Sequence, residues 1–272
     1  MKKLSLSTRV FIGFGLGILL GVIFGEKILV IKIIGDIFLK LIKMLTVPLV
    51  FFSIISGITN LTDVNKLKRV GAKILGMYVV TTLLAGFIVF VMYFLILKFM
   101  GKVKFPYFMR KILPLWAMTA ATTSSSGSLP VTMRITRDDF KVEEELYGFS
   151  LPLGATINMN AGGAYYSAAV VFAAQIYGVP LTLTQEITIV ILATLISVGS
   201  PGIPGGGIVM TIMLLTTMGL PVDIMGMIAG IYKIIDIAHT TINCTGDVVS
   251  TIAVARSEGM IHDEYSEKHT VA

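Results

Sequence analysis

The chain has 272 residues, of which 55% are hydrophobic and 14% are charged, and its formal net charge is +6. Soluble domains carry about 25% charged residues, so this composition predicts a polytopic membrane protein and excludes an ordinary soluble domain. The positive charge then favours basic loops that set membrane topology over a nucleic-acid-binding surface. The single cysteine, Cys244, excludes a disulfide within the chain.

The first two predicted helices cover about residues 9–25 and 29–59. The basic start followed by an apolar run is similar to a signal peptide, but no small-residue cleavage site follows, so we expect a retained spanning helix that starts in the cytoplasm. Glycines at every fourth position from Gly13 place one smooth face on this helix, which suits close helix packing. Pro48 predicts a kink in the second helix.

The third predicted helix covers about residues 67–100 and is roughly 50 Å long at 1.5 Å per residue, so it must tilt or protrude from a bilayer. The basic link before it is typical of a cytoplasmic loop. Hydroxyls three and four residues apart share a helix face, and here they form a small polar patch. Its members are Tyr78, Thr81 and Thr82.

Two apolar arms, residues 112–121 and 131–135, surround a Ser-rich tip at 122–130. Both arms are too short to span a bilayer, so the pattern predicts a re-entrant hairpin over about 107–137. Free backbone N–H groups and hydroxyls at such a tip suit an anionic ligand group. A surface loop between separate elements is the alternative.

The apolar segment 146–177 is long enough to cross a bilayer, but Thr156, Asn158, Asn160 and several glycines interrupt its middle. These residues are poor helix formers, and their side chains compete for backbone hydrogen bonds. Broken backbone survives at membrane depth only where protein or a polar cavity satisfies it. We therefore predict a discontinuous helix beside a buried site, with a helix kinked for packing as the alternative.

A second pair of arms, residues 183–198 and 208–218, surrounds a tip at 199–207 in which seven of nine residues are Gly or Pro. This pattern predicts a second hairpin over about 183–218, with a flexible tip. A nucleotide-binding glycine motif is not indicated, because no β-α-β context exists.

The last predicted helix covers about residues 222–257 and carries Asp236, Thr240, Asn243 and Asp247 on one face. Ionisable groups at membrane depth are costly and mark functional sites. Carboxylate and carbonyl oxygens are the ligands that hard cations prefer, so this face predicts a cation site. Polar residues along a water-filled packing seam are the alternative.

Four motifs in this order resemble the dicarboxylate/amino acid:cation symporter family, which includes glutamate and aspartate transporters. They are TSSSGSLPVTMR at 123–134, LPLGATINM at 151–159, GSPGIPGGG at 199–207 and DIAHTTINCTGD at 236–247. The resemblance implies an all-α, elevator-type symporter of the plasma membrane with two re-entrant hairpins and two discontinuous helices, the last of them broken. It implies scaffold helices in residues 1–65, a transport domain in 66–272 with a polar tail, and a homotrimer in the bilayer.

The resemblance also implies a substrate site between the two hairpin tips. The serines of the first tip and the backbone of the second would hold the substrate carboxylate, and Asp236 would hold the amino group. The implied contact positions are Ser124, Ser125, Ser126, Met159, Gly162, Val198, Gly199, Ile203, Pro204, Gly207, Asp236, His239, Thr240 and Asn243.

Up to three sodium sites are implied in the same way. One would involve Gly154, Asn158, Asn243 and Asp247; a second Thr156, Ser197, Val198 and Ser200; a third Tyr78, Thr81, Thr82, Asn158 and Asn160.

Three departures from the family pattern change these expectations. His239 stands where members that carry acidic substrates have arginine, and Gly162 stands where they have threonine. A mostly neutral histidine cannot form the bidentate contact of a guanidinium group with a carboxylate. We therefore predict a small neutral amino acid substrate, with an acidic one as the alternative. Asn160 replaces an aspartate, which predicts two coupled sodium ions rather than three, and proton coupling stays open.

The third departure is length, because about three family helices are missing between the third helix and the first hairpin. A count of spans then places the basic segment 101–111 outside, against the positive-inside tendency. The pair Ala85-Gly86 marks a candidate seam for an internal deletion, natural or engineered, or for an unrecorded segment. A membrane protein that keeps the binding site without transporting is therefore a second hypothesis. An enzyme is disfavoured, since no GxSxG or HExxH motif occurs.

Overall fold

A computed structural model describes residues 6–25, 37, 87–200 and 205–261. Its elements are α1 (Leu6–Phe24), α2 (87–96, extended by a π-helical turn at Leu97–Gly101), α3 (Phe105–Thr122), α4 (Ser125–Asp138), α5 (Glu144–Ile157), α6 (Asn160–Ile176), α7 (Leu183–Val198), α8 (Gly206–Thr217) and α9 (Ile224–Glu258). Within these ranges one isolated β-bridge pairs Val142 with Ile261. The predicted second helix, most of the third and the polar tail lie outside the described residues.

The first predicted helix is confirmed as a helix, α1, and all its described side chains are exposed or half-buried. In the part of the chain that the structure describes, no helix meets both the length and the apolar composition needed to cross a membrane.

The two arms of the first predicted hairpin correspond to α3 and α4, which are joined by a tight turn rather than by a long tip. Thr123 adopts a left-handed φ of 46° and its N–H donates to Thr119 O at 2.8 Å, which ends α3. Ser124 then caps α4 by accepting the Gly127 N–H at 3.0 Å. The predicted nine-residue tip is wrong, because a serine N-cap starts a helix at once, and residues 125–130 lie inside α4.

The discontinuous helix is confirmed, with the break at Asn158 and Met159 between α5 and α6. Both residues leave the helical region, with φ of −92° and ψ near 58°. Two backbone bonds flank the break, from Asn158 N to Gly154 O and from Gly162 N to Met159 O, each at 2.9 Å. Side chains from other helices form hydrogen bonds with the remaining polar groups at this point.

The second pair of arms is formed by α7 and α8. The first arm has the predicted bounds, and a reciprocal capping box between Thr182 and Gln185 fixes its start. Between the arms, residues 201–204, which include Ile203 and Pro204, lie outside the described residues. Gly205 precedes α8 with φ of 76°, a conformation that favours glycine.

The last helix, α9, is continuous over 35 residues, so its predicted break is wrong. No proline interrupts it. Thr245 donates to the Thr241 carbonyl of α9 itself at 2.6 Å, whereas the carboxamide of Asn243 bonds to Ala161 N and Met159 S.

Two apolar cores pack against successive parts of α9. One joins α6, α7 and α8 to residues such as Ile228 and Ile235 of α9. The other joins α2, α3 and α5 to residues such as Val248 and Ile252. The polar segment 236–247 of α9 therefore lies where the two cores meet.

Candidate functional site

A small cavity lies at the junction of both hairpins, the helix break and α9. Its volume is about 20 Å³, and Ser125, Met159, Ser200, Asp236 and His239 all line it. A space of roughly 10–15 Å³ holds one water, so an amino acid fits only if lining groups move. The structure thus brings together residues from four segments that are far apart in sequence.

Several other predicted substrate residues also lie at this cavity. Gly207, Thr240 and Asn243 line it. By contrast, Ser126, Val198 and Gly199 are exposed, and Ser124 is half-buried with its hydroxyl used as the cap of α4.

Asp236 is the buried carboxylate of the cavity, with 6% of the residue exposed. Its Oδ2 accepts the N–H of Gly205 at 3.0 Å, which ties the end of the second tip to α9. One turn earlier on α9, Lys233 donates from Nζ to Thr123 Oγ1 at 2.7 Å. Asp236 therefore lines the cavity, whereas Lys233 reaches it only through its bond to Thr123, which also lines the cavity.

His239 sits in an aromatic environment rather than beside a carboxylate. It is 8% exposed, and the rings of Tyr165 and Tyr166 lie 6.0 and 5.8 Å from its ring. Its Nδ1 has no hydrogen-bond partner among the described residues, and the same holds for the hydroxyls of Tyr165 and Tyr232. Of these three residues, His239 and Tyr232 line the cavity.

Gly162 allows this packing because it has no side chain. A Cβ at this position would overlap Ser197 Oγ and would lie 3.1 Å from the Tyr166 ring and 3.2 Å from His239 Nε2. A threonine would be larger still. The glycine therefore belongs to the same arrangement as the histidine.

Asn243 fastens the helix break to α9. Its Oδ1 accepts the Ala161 N–H at 2.9 Å, and its Nδ2 donates to the Met159 sulfur at 3.2 Å. Ser197 of α7 donates to the carbonyl of Met159 from the other side. The break is thus held by one side chain from α9 and one from the second hairpin.

Asp247 forms the second carboxylate site, one helical turn beyond Asn243. It is 4% exposed and accepts Asn158 Nδ2 at 2.8 Å. Gly154 lies so close that an added Cβ would be 2.5 Å from Asp247 Oδ1. Within the described ranges, neither ion pair involves this carboxylate. An unpaired buried charge is costly, so a cation bound here would be stabilised.

The residues predicted for the second sodium site are only partly brought together. Ser200 lies near Ser197, with its N–H bonded to Ser197 O at 3.0 Å, and its hydroxyl is 3.2 Å from Tyr166 Oη. Thr156 is exposed and donates to Leu153 O of its own helix at 2.7 Å. Its hydroxyl therefore bonds within α5 and not to the second hairpin.

For the third site, Tyr78, Thr81 and Thr82 lie outside the described residues. Asn160 donates from Nδ2 to Tyr93 Oη at 2.9 Å, and that hydroxyl donates to Ile242 O at 3.1 Å. Sequence reasoning missed Tyr93. A tyrosine in an apolar helix is a weak signal, although a buried Tyr hydroxyl usually finds a partner.

Comparison with known proteins places this arrangement in a family. The model of the sodium:dicarboxylate symporter family matches residues 6–92 and 83–257. These two matches overlap at residues 83–92, which include the predicted seam at Ala85-Gly86.

Curated relatives agree with the family match. An excitatory amino acid transporter of Caenorhabditis elegans is 34% identical over 203 residues, which cover 74% of this chain and 40% of the relative. Human excitatory amino acid transporter 2 is 33% identical over 219 residues, covering 79% of this chain and 38% of the relative. Mouse excitatory amino acid transporter 5 is 36% identical over 198 residues, covering 70% and 34%. The chain spans about two fifths of the length of these relatives.

Proposed function

Because this chain belongs to the sodium:dicarboxylate symporter family, we propose that it binds an amino acid together with sodium at the junction of its two hairpins. The observation that carries this proposal is the convergence of both hairpins, the helix break and α9 on one small polar cavity. Buried polar groups on broken helices beside a cavity are typical of transporter binding sites.

In this proposal the substrate's ammonium group takes the place of the Gly205 N–H on Asp236. That exchange replaces a neutral donor by a charged one, and charge-assisted hydrogen bonds are about twice as strong as neutral ones. Since the cavity measures only about 20 Å³, the end of the second tip must move outward to admit the substrate. Binding and movement of the tip are then one event.

We propose a small neutral amino acid as the substrate. Its side chain would face His239, whose ring packs against those of Tyr165 and Tyr166. An acidic substrate is the second candidate, and the observation that favours it is the name shared by the relatives, excitatory amino acid transporters.

Sodium would bind at Asp247, with oxygen ligands from the α5 end of the break, and a second ion near Ser197 and Ser200. A third ion is not proposed, because Asn160 is uncharged and its amide already donates to Tyr93. Proton coupling has no support of its own.

We further propose that the chain works in the cell membrane as a multi-pass protein, with an elevator movement of residues 66–272 and two re-entrant hairpins. Large apolar side chains are exposed along α7, including Leu183 at 72% and Val190 at 55%, and such surfaces mark contact with lipid or with another protein. Scaffold helices would lie in residues 1–65. An internal deletion near residues 83–92 would fit the overlap of the two family matches and would leave binding without transport.

The test is uptake and binding by the purified full chain in liposomes. Radiolabelled L-serine and L-alanine should bind in sodium buffer and not in choline buffer, with L-aspartate a weak competitor at neutral pH. Saturable aspartate binding that outcompetes serine would make the acidic candidate correct. Sodium-dependent binding without counterflow would assign the chain to the class that keeps the site but does not transport.

A further inference from the structure

Lys233 is a charged group beside the cavity that bonds to a residue of the cavity wall, Thr123, and the resemblance to the family gives it no role. It lies on α9, three residues before Asp236, so the two side chains share a helix face at a spacing of about 5–6 Å between Cβ atoms. The body of the lysine is exposed, while its ammonium bonds to Thr123 Oγ1 at 2.7 Å.

Thr123 places that ammonium at the edge of the cavity. The threonine is 1% exposed, lines the cavity and forms the left-handed turn from which α4 starts. The start of α4 is the N-terminal end of a helix, and the backbone N–H groups at this end attract anions. Lys233 therefore adds a full positive charge to a place where backbone N–H groups already favour a carboxylate.

We propose that Lys233 binds the α-carboxylate of the substrate while Asp236 binds its α-ammonium group. This inference rests on the proposed function and identifies the residue that binds the carboxylate end of the zwitterion. An ammonium carries three donors, and the bond to Thr123 uses one of them. A zwitterion matches the pair because its own opposite charges are separated by a similar short distance.

In this arrangement neither Lys233 nor Asp236 contacts the substrate's side chain. That side chain extends toward His239, which is neutral, and Gly162, which has no side chain. Lys233 would therefore govern affinity for all α-amino acids, whereas residues near position 239 would choose among them.

A structural role for Lys233 is the competing explanation. In that case the lysine only fastens α9 to the turn at Thr123, and any hydrogen-bond donor of similar length would serve. The two explanations differ in what they predict for Lys233→Gln, which keeps a donor for Thr123 Oγ1 but removes the charge.

The experiment measures binding of L-alanine and of L-alaninamide, which lacks the carboxylate, to the purified full chain in saturating sodium. Lys233→Gln and Lys233→Met should both weaken alanine binding by about 10-fold to 100-fold, as loss of a charge-assisted hydrogen bond predicts. Neither should change alaninamide binding by more than about twofold, within the scatter of uncoupled substitutions. Lys98→Met changes an exposed lysine that is distant in sequence from Lys233. It is the matched control and should leave the binding of both ligands unchanged.

Three results would overturn the inference: alanine binding by Lys233→Gln equal to wild type, equal losses for alanine and alaninamide, or a wild-type chain that binds the two ligands equally well. A thermal melt of each variant checks that it is folded. Absence of sodium-dependent alanine binding in the wild type would instead count against the proposed function, so the two failures are distinguishable.

Discussion

The close packing of Gly154 against Asp247 gives the sharpest test of the cation site. In Gly154→Ala the new Cβ would lie 2.5 Å from Asp247 Oδ1 and 2.8 Å from its Cγ. Both atoms belong to a buried carboxylate held by Asn158, so the carboxylate has to turn away from the helix break. Overpacking of this kind costs about 1–3 kcal/mol.

If that cost falls on the sodium-bound geometry, affinity drops by about 5-fold to 150-fold, since 1.4 kcal/mol corresponds to a factor of ten. The same helix offers a matched control. Gly148 has no atom within 4 Å of an added Cβ, so Gly148→Ala should bind sodium as wild type does. Both substitutions raise helix propensity by about 1 kcal/mol. A difference in sodium affinity between the two variants therefore reports on the cation site and not on a general change in stability.

The single tryptophan provides the assay. Trp116 donates from Nε1 to Thr245 Oγ1 at 3.0 Å, two residues before Asp247, so its fluorescence reports on this segment of α9. Sodium is titrated against choline at constant ionic strength. Equal sodium affinity in Gly154→Ala and Gly148→Ala would refute the reasoning; if Gly154→Ala fails to fold, Asp247→Asn supplies the same test without added volume.

Three further changes test other parts of the account. Gly162→Thr should weaken serine binding at least about tenfold, because the overlap with Ser197 costs about 1–3 kcal/mol. Gly163→Ala is the control and should bind serine normally, since its Cβ would meet only ordinary contacts at 3.6 Å. Similar losses of binding in both variants would contradict the role given to Gly162. Asn160→Asp should raise the number of coupled sodium ions from two to three, measured by the sodium dependence of serine binding, and an unchanged dependence would exclude a charge-limited third site. Thr182→Ala removes the cap of α7 and should lower the unfolding free energy by about 1 kcal/mol in a chemical melt, while loss of the cap without any destabilisation would mean that the capping box does not hold the start of that arm.

Parts of the fold were predictable because a single local signal decided them. The discontinuous helix was predictable because Thr156, Asn158, Asn160 and several glycines interrupt an otherwise apolar segment. The start of α7 follows the Thr182 cap. Such features depend on residues close in sequence.

The errors arose where tertiary contacts decide. The resemblance implied a break in α9, but the helix is continuous, and its Asn243 and Asp247 bond to residues of the α5–α6 segment. The Ser-rich tip became a helix because Ser124 caps it. A hydroxyl-rich segment alone cannot show whether its side chains bond to a ligand or to the following turn.

The predicted site residues stay a prediction, but the hydrogen bonds among them could not be predicted from the sequence. The resemblance named Asp236, His239 and Gly162, whereas the bonds of Tyr93 and Lys233 became visible only through their partners, Asn160 and Thr123. Both missed residues lie in helices whose sequence alone does not say which face meets the site.

The central claim is that one junction binds an amino acid and sodium together, and linkage tests it most directly. Serine affinity is measured by titration calorimetry on the purified full chain with and without sodium, and sodium affinity with and without serine. The account predicts that each ligand tightens the other by the same factor, about 5-fold to 150-fold for a typical coupling, and that Asp247→Asn reduces this factor to near one. Serine binding with equal affinity in sodium and in choline would contradict it.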